Sequence, residues 1–198
     1  MKVKIANVKL IYAVLNKAHE LEEEQDPTES WKKTEQDPDI EQIKRSSGVD
    51  YPPVELPYPL SHAKLFADRA DSCYSAYVQI SPRGGELVFR ELSRLLIPKF
   101  QESGRIFSPS TSSGSGYVLD GKGNVRASIM DGSADNPLRD IGIGCNGART
   151  RKFGDINHFH RAFRELEDYV NIYLDALYSP LVQAGMAIVP DATLYFNP

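Results

Sequence analysis

Apolar residues in the middle of the chain change their spacing once, from every second position to every third or fourth, and that change marks its clearest element boundary. Across Tyr74-Ser75-Ala76-Tyr77-Val78-Gln79-Ile80 the pattern has period two and is rich in aromatic and β-branched residues, which predicts a strand with Ala76, Val78 and Ile80 on one face. Pro82-Arg83-Gly84-Gly85 breaks it. From Val88, apolar residues recur at Leu92, Leu95, Leu96 and Phe100, with Arg90, Glu91 and Arg94 elsewhere on the wheel, so an amphipathic helix follows. Pro98 should end or bend it. A strand leading straight into such a helix gives a two-layer packing unit to which the other β-like segments can add.

Those other segments vary in clarity. Residues 3–15 place Val3 and Ile5, then Val8, Leu10 and Tyr12, at alternate positions with a phase slip at Ala6-Asn7, which predicts one bulged strand or two short ones. Tyr117–Asp120 and Val125–Ile129, joined by Gly121-Lys122-Gly123-Asn124, form the best hairpin signal, because the Asp-Gly and Gly-Asn steps supply positive-φ positions. Ile141–Gly144 reads as a short strand whose glycines admit close approach to the backbone. Over 155–178 the repeat of Ile156, Phe159, Phe163, Leu166, Val170, Tyr173 and Leu177 favours a helix with Asp155 near its cap, while the alternation of Val170, Ile172, Leu174 and Ala176 also fits a strand; the expectation is a helix to about Glu167 and a strand after it, with a continuous helix as the alternative. Met186–Val189 and Thr193–Phe196 are expected as closing strands interrupted by Pro190.

Residues 19–70 stand apart. The first part, 19–50, is polar and acid-rich with two Asp-Pro steps, a solvated insertion in which Trp31 is the one feature that suggests docking on something. The second opens with Pro52, Pro53, Pro57 and Pro59, which predict an irregular loop crossing a surface, with a proline-rich ligand for a partner's aromatic groove as the alternative. Together they form an acidic and proline-rich insertion within a single domain spanning 1–198, and a protein partner or a second copy is its candidate contact. Ser108–Gly116 is expected as a flexible loop.

With 198 residues, 41% hydrophobic, the chain can build a sizeable core, and its net charge of -4 excludes a global basic field for nucleic acid or anionic lipid. Any polyanion site must be a local patch. No apolar run reaches the about 18 residues needed to cross a bilayer and no export signal opens the chain, so a cytoplasmic protein with no membrane partner and with thiols at Cys73 and Cys145 is expected.

Candidate chemistry is sparse. Cys145 and Arg151 have the bare spacing of a phosphate-binding cysteine loop, but Arg149-Thr150-Arg151-Lys152 runs on to Phe153-Gly154 where a helix should begin. His158 and His160 would share a face only on a strand, and no Cys or His pair has zinc-finger spacing. Phosphate-loop, dinucleotide and serine-elbow motifs are absent, so no catalytic residue, metal or cofactor is expected. The strongest local signal is Arg149, Arg151 and Lys152 beside Phe153: cations to neutralise phosphates next to a ring that stacks on any base. Lys122 and Arg126 on the hairpin, Arg83 in the turn, and Tyr74 and Tyr77 on the central strand are the further candidates; the competing reading is a solvated basic loop with core tyrosines.

In order, Asn7-Val8-Lys9-Leu10-Ile11-Tyr12, Tyr74-Ser75, Ser81-Pro82-Arg83 with the helix from Glu86, Leu138-Arg139-Asp140, and the closing Asp168–Tyr178 and Ala184–Val189 segments resemble the phage-type single-stranded-DNA-binding proteins built on an OB-fold. The insertion is longer than such proteins carry, and their acidic C-terminal tail is not seen. The resemblance implies an α+β chain with a small OB-like antiparallel β-barrel and one or two amphipathic helices packed on it. It also implies a groove that holds single-stranded DNA without catalysis, in phage or mobile-element replication or recombination. Two other classes stay open: a structural or assembly protein of a virion neck or tail, and an acidic inhibitor or adaptor that mimics nucleic acid.

Overall fold

The computed structural model describes residues 2–24, 38, 52–70, 73–83, 89–110, 115–131, 140–150, 156–188 and 191–196. In chain order the elements are β1 (Val3–Ile5), α1 (Val8–Glu24), β2 (Val54–Glu55), β3 (Leu60–Ala70), β4 (Cys73–Pro82), α2 (Phe89–Glu102), β5 (Ile106–Pro109), β6 (Ser115–Leu119), β7 (Val125–Asp131), β8 (Ile141–Thr150), α3 (Ile156–Gln183) and β9 (Ala192–Leu194). The chain is α+β. Seven strands form one antiparallel sheet in the order β2-β3-β4-β8-β7-β6-β5, while β1 and β9 pair in parallel and a bridge from Phe196 to Leu65 ties that pair to β3. The edge strands β2 and β5 do not meet, so the sheet is open and the expected closed barrel is not formed among the described residues.

Alternation along the strands sorts the sheet into two faces. Leu65, Val78, Ile143 and Ile129 lie in one register row, and Cys145, Ala127, Val118 and Phe107 in the next; all eight are buried. The three helices cover this face, with α3 lying along β8 and touching α1, α2 and β1. Each large apolar side chain so buried contributes roughly 1.5–3 kcal/mol. Gly116 on β6 is required by this packing: a Cβ there would stand 2.3 Å from the ring of Phe107, which stacks on Phe100 of α2 at 5.6 Å.

The central strand and helix are β4 and α2, as the pattern predicts, and the hairpin is β6–β7. Several expectations are corrected. Residues 8–15 are helical, because Leu10, Ile11, Val14 and Leu15 are the buried set, a three-and-four repeat. The phase slip is a strand-to-helix junction, where Asn7 sits at φ 58 and its carbonyl accepts from the Leu10 and Ile11 amides. The proline-rich loop expected over 51–70 contains β2 and the long strand β3, so the prolines precede a strand whose Ala63 and Leu65 face the core. Residues 168–178 continue the helix: Tyr169, Val170, Tyr173, Leu174, Ala176 and Leu177 are buried while Asp168 and Asp175 are exposed, and an apolar face this wide also places Val170, Leu174 and Ala176 at even positions, which mimics alternation. Residues 186–188 form no strand; α3 ends with Gly185 at φ 71 and the Met186 amide donating to the Leu181 carbonyl. Pro98 neither ends nor interrupts α2, which runs to Glu102 and closes through Gly104, with the Arg105 amide donating to the Phe100 carbonyl. The insertion expected over 19–50 lies, apart from the end of α1 and residue 38, outside the described residues.

One edge of β1 pairs with β9, and side chains of α3 serve the other. Asn171 accepts from the Val3 amide at 2.7 Å and donates to the Val3 carbonyl at 3.0 Å, while Glu167 accepts from the Ile5 amide at 2.7 Å. The spacings match: four residues of helix rise about 6 Å and two of strand about 6.6 Å. No helix among the described residues is long and apolar enough to cross a membrane.

Candidate functional site

Among the described residues, the sheet face opposite the helices carries a concentration of rings and polar groups that the core does not absorb. In β3, Lys64 and Phe66 alternate with the core residues, and Phe66 stands directly across from Tyr77 of β4. Their rings stack with centroids 5.8 Å apart and planes 17° from parallel, and Lys64 Nζ lies 4.7 Å from the Phe66 centroid. Beyond Tyr77 in the same row come Gly144 of β8, Ser128 of β7 and the exposed Tyr117 of β6. Gly142 and Gly144 leave the lane on β8 without side chains, and the Tyr77 ring leans toward it, 3.7 Å from where a Cβ on Gly142 would stand. Strands β4 and β7 flank this lane about 9.6 Å apart, two strand spacings.

A polar row adjoins the rings. Ser81 Oγ donates to Asp140 Oδ1 at 2.6 Å and lies 3.0 Å from His62 Nε2, His62 Nδ1 lies 3.0 Å from Ser61 Oγ, and Gln79 Nε2 donates to Asp140 Oδ2. Serine, histidine and aspartate are thus in contact, but in the wrong order for nucleophilic catalysis. The carboxylate takes the single Ser81 proton, so His62 Nε2 must donate to Ser81 and is not placed to deprotonate it. The chain of bonds instead fixes Gln79 next to Tyr77, with His62 and Ser81 one row further along the same face. Among the described residues no group of three or more His, Cys, Asp and Glu is placed to hold a metal.

The structure brings together few of the residues picked out from the sequence. Tyr77 is in the ring pair, whereas Tyr74 is on β4 in register with Thr150. Register puts Arg83 at one end of the sheet, beyond Pro82, and Lys122 with Arg149 at the other. Arg83 is exposed and reaches the Leu56 carbonyl at 3.4 Å. Lys122 sits in an exposed turn organised by Asp120, whose carboxyl is held below its ordinary range by the Asn124 side chain and by the Asn124 and Lys122 amides. Arg126 is engaged: it is the extra residue of a β-bulge opposite Val118 and Leu119, and it pairs with Glu165 of α3 at 2.6 Å, which raises its pKa. Arg149 belongs to β8, in register with Ser75, and not to a loop. Arg151, Lys152 and Phe153 lie outside the described residues.

Lys64, Phe66, Gln79, His62, Ser81 and Asp140 were not picked out from the sequence. The signal existed for the first two, since Ala63, Leu65 and Ala67 alternate with Lys64, Phe66 and Asp68, but it follows directly on the prolines. The chain matches no family model, no curated protein and no solved structure.

Proposed function

We propose that the chain is a non-catalytic binder of single-stranded nucleic acid, in phage or mobile-element replication or recombination, and that the strand lies across the open face of the sheet. The stacked pair Phe66 and Tyr77, flanked by Lys64 and by the bare Gly142–Gly144 lane, carries this reading. Rings on an antiparallel sheet stack on unpaired bases without regard to sequence, and a neighbouring ammonium neutralises a phosphate. The groove of a closed barrel plays no part in it. Because Lys64 is the cation that the described residues place beside the rings, the salt dependence should be shallow, a slope of about -0.7 in log K against log salt for each phosphate neutralised.

Fluorescence polarisation with labelled oligo-dT at low and moderate salt tests this. Tyr77→Ala and Phe66→Ala should each weaken binding roughly tenfold, since a base stacked on a ring is worth about 1–3 kcal/mol. Wild-type protein that fails to bind, or a Tyr77→Ala variant that binds equally well, removes the proposal. A structural or assembly role is the second reading, favoured by the exposed apolar side chains of Val182, Met186 and Ile188 at the end of α3. It expects no oligonucleotide binding and a self-associated species on a sizing column.

A further inference from the structure

On the helix side of the sheet, independent of the ring pair, lies a second polar cluster. Tyr169 of α3 is fully buried and its hydroxyl has no hydrogen-bond partner. Such an orphan is costly, and in a folded protein it calls for an explanation such as a ligand. Two guanidiniums flank it. Arg105, positioned by the turn that closes α2, lies over the Tyr169 ring at 5.0 Å from its centroid, and Arg126 is turned toward α3 by its bulge. Glu165, one helical turn before Tyr169, takes Arg126 on one oxygen at 2.6 Å and the Cys145 thiol on the other at 3.5 Å. Both arginines come close enough to act on the ionisation of the phenol, which burial raises and Arg105 lowers, yet neither reaches hydrogen-bond geometry.

The formal charge of the cluster is +1: Arg105 and Arg126 against Glu165. Among the described residues the Arg105 guanidinium makes one long hydrogen bond, at 3.4 Å to the Ser103 carbonyl. The Arg126 side chain is 43% exposed although it is paired with Glu165, so its guanidinium can be reached from solvent. Tyr173 supplies the contrast. Its hydroxyl is equally orphaned, but it is shifted only by burial and by Tyr178, with no guanidinium acting on it.

We propose that Arg105, Arg126 and Tyr169 form a phosphate-binding site, in which the two guanidiniums close on the oxyanion and the Tyr169 hydroxyl donates to it. The ligand is a phosphoryl group, carried either by free inorganic phosphate or by a phosphorylated strand end.

The test is a thermal-shift and calorimetric titration of the full chain with inorganic phosphate against chloride at matched ionic strength. Saturable stabilisation is expected in the wild type, weakened roughly tenfold or more in Tyr169→Phe and in Arg105→Gln, and unchanged in Tyr173→Phe. Tyr169→Phe removes only an unpaired hydroxyl, so without phosphate it should be as stable as the wild type or more so. A second arm compares oligo-dT with and without a 5′-phosphate: a preference that vanishes in Tyr169→Phe assigns the strand end, and its absence beside phosphate binding assigns the free ion. Tyr77→Ala must leave the phosphate titration untouched, which separates this site from the sheet face. No saturable phosphate effect in the wild type, or a Tyr169→Phe titration equal to it, overturns the site.

Discussion

Asn171 holds β1 in place, and its removal should be felt by the whole domain. The side chain takes both backbone groups of Val3, at 2.7 and 3.0 Å, on the edge of the strand that β9 does not serve. In Asn171→Ala the Val3 amide and carbonyl are left against α3. Each orphaned group costs about 1–3 kcal/mol when buried; both bonds are only partly buried, so water replaces part of each and a total of about 2–3 kcal/mol is expected. For a chain of this size that lowers Tm by roughly 5–10 °C. Asn171→Asp keeps the acceptor for the Val3 amide but loses the donor, and should cost about 1–2 kcal/mol. Glu167→Gln keeps an oxygen for the Ile5 amide and should stay within about 0.5 kcal/mol of the wild type. Guanidinium unfolding with an unchanged m value measures the series, and amide exchange at Val3 reports the bond directly. An Asn171→Ala protein within about 0.5 kcal/mol of the wild type, or a Val3 amide no less protected than before, refutes the reasoning.

Two further outcomes follow from the packing. Gly116→Ala should destabilise by about 1–3 kcal/mol, because the new methyl must push the Phe107 ring off Phe100, and a loss of near-ultraviolet aromatic dichroism with an unchanged far-ultraviolet spectrum would show it. Burial pushes the Tyr178 phenol, which donates to the Pro57 carbonyl at 2.6 Å, up to about 12 from an ordinary 10.0. The folded state then keeps a proton that the unfolded chain releases, so this contribution is whole below pH 10.0 and is lost as pH rises through about 12. Tyr169 and Tyr173, also raised by burial, act in the same direction. Denaturant midpoints measured from pH 8 upward should fall above 10, less steeply in Tyr178→Phe; a flat profile contradicts this.

Local pattern alone determined the parts of this protein in which one face of an element is buried and the other is wet. Strand β4, helix α2 and the hairpin β6–β7 read correctly because their apolar residues fall on one side and their turn residues stand between. The tertiary structure decided the rest. Whether 168–178 was helix or strand depended on α3 packing against β8, α1, α2 and β1 together, which widens its apolar face until only the narrow exposed line of Arg161, Arg164, Asp168 and Asp175 marks its period. Whether the sheet closed depended on β2 and β5, short edge strands far apart in the chain that carry no sign of whether they meet. The ring pair on the open face was half legible: Tyr77 stood out on its strand, but only pairing β3 with β4 brings Phe66 and Lys64 to it. The cluster around Tyr169 was not legible at all, because it joins a helix-closing turn, a bulge and a helix from three separate parts of the chain, and contacts at such separations are set by packing and leave no local pattern.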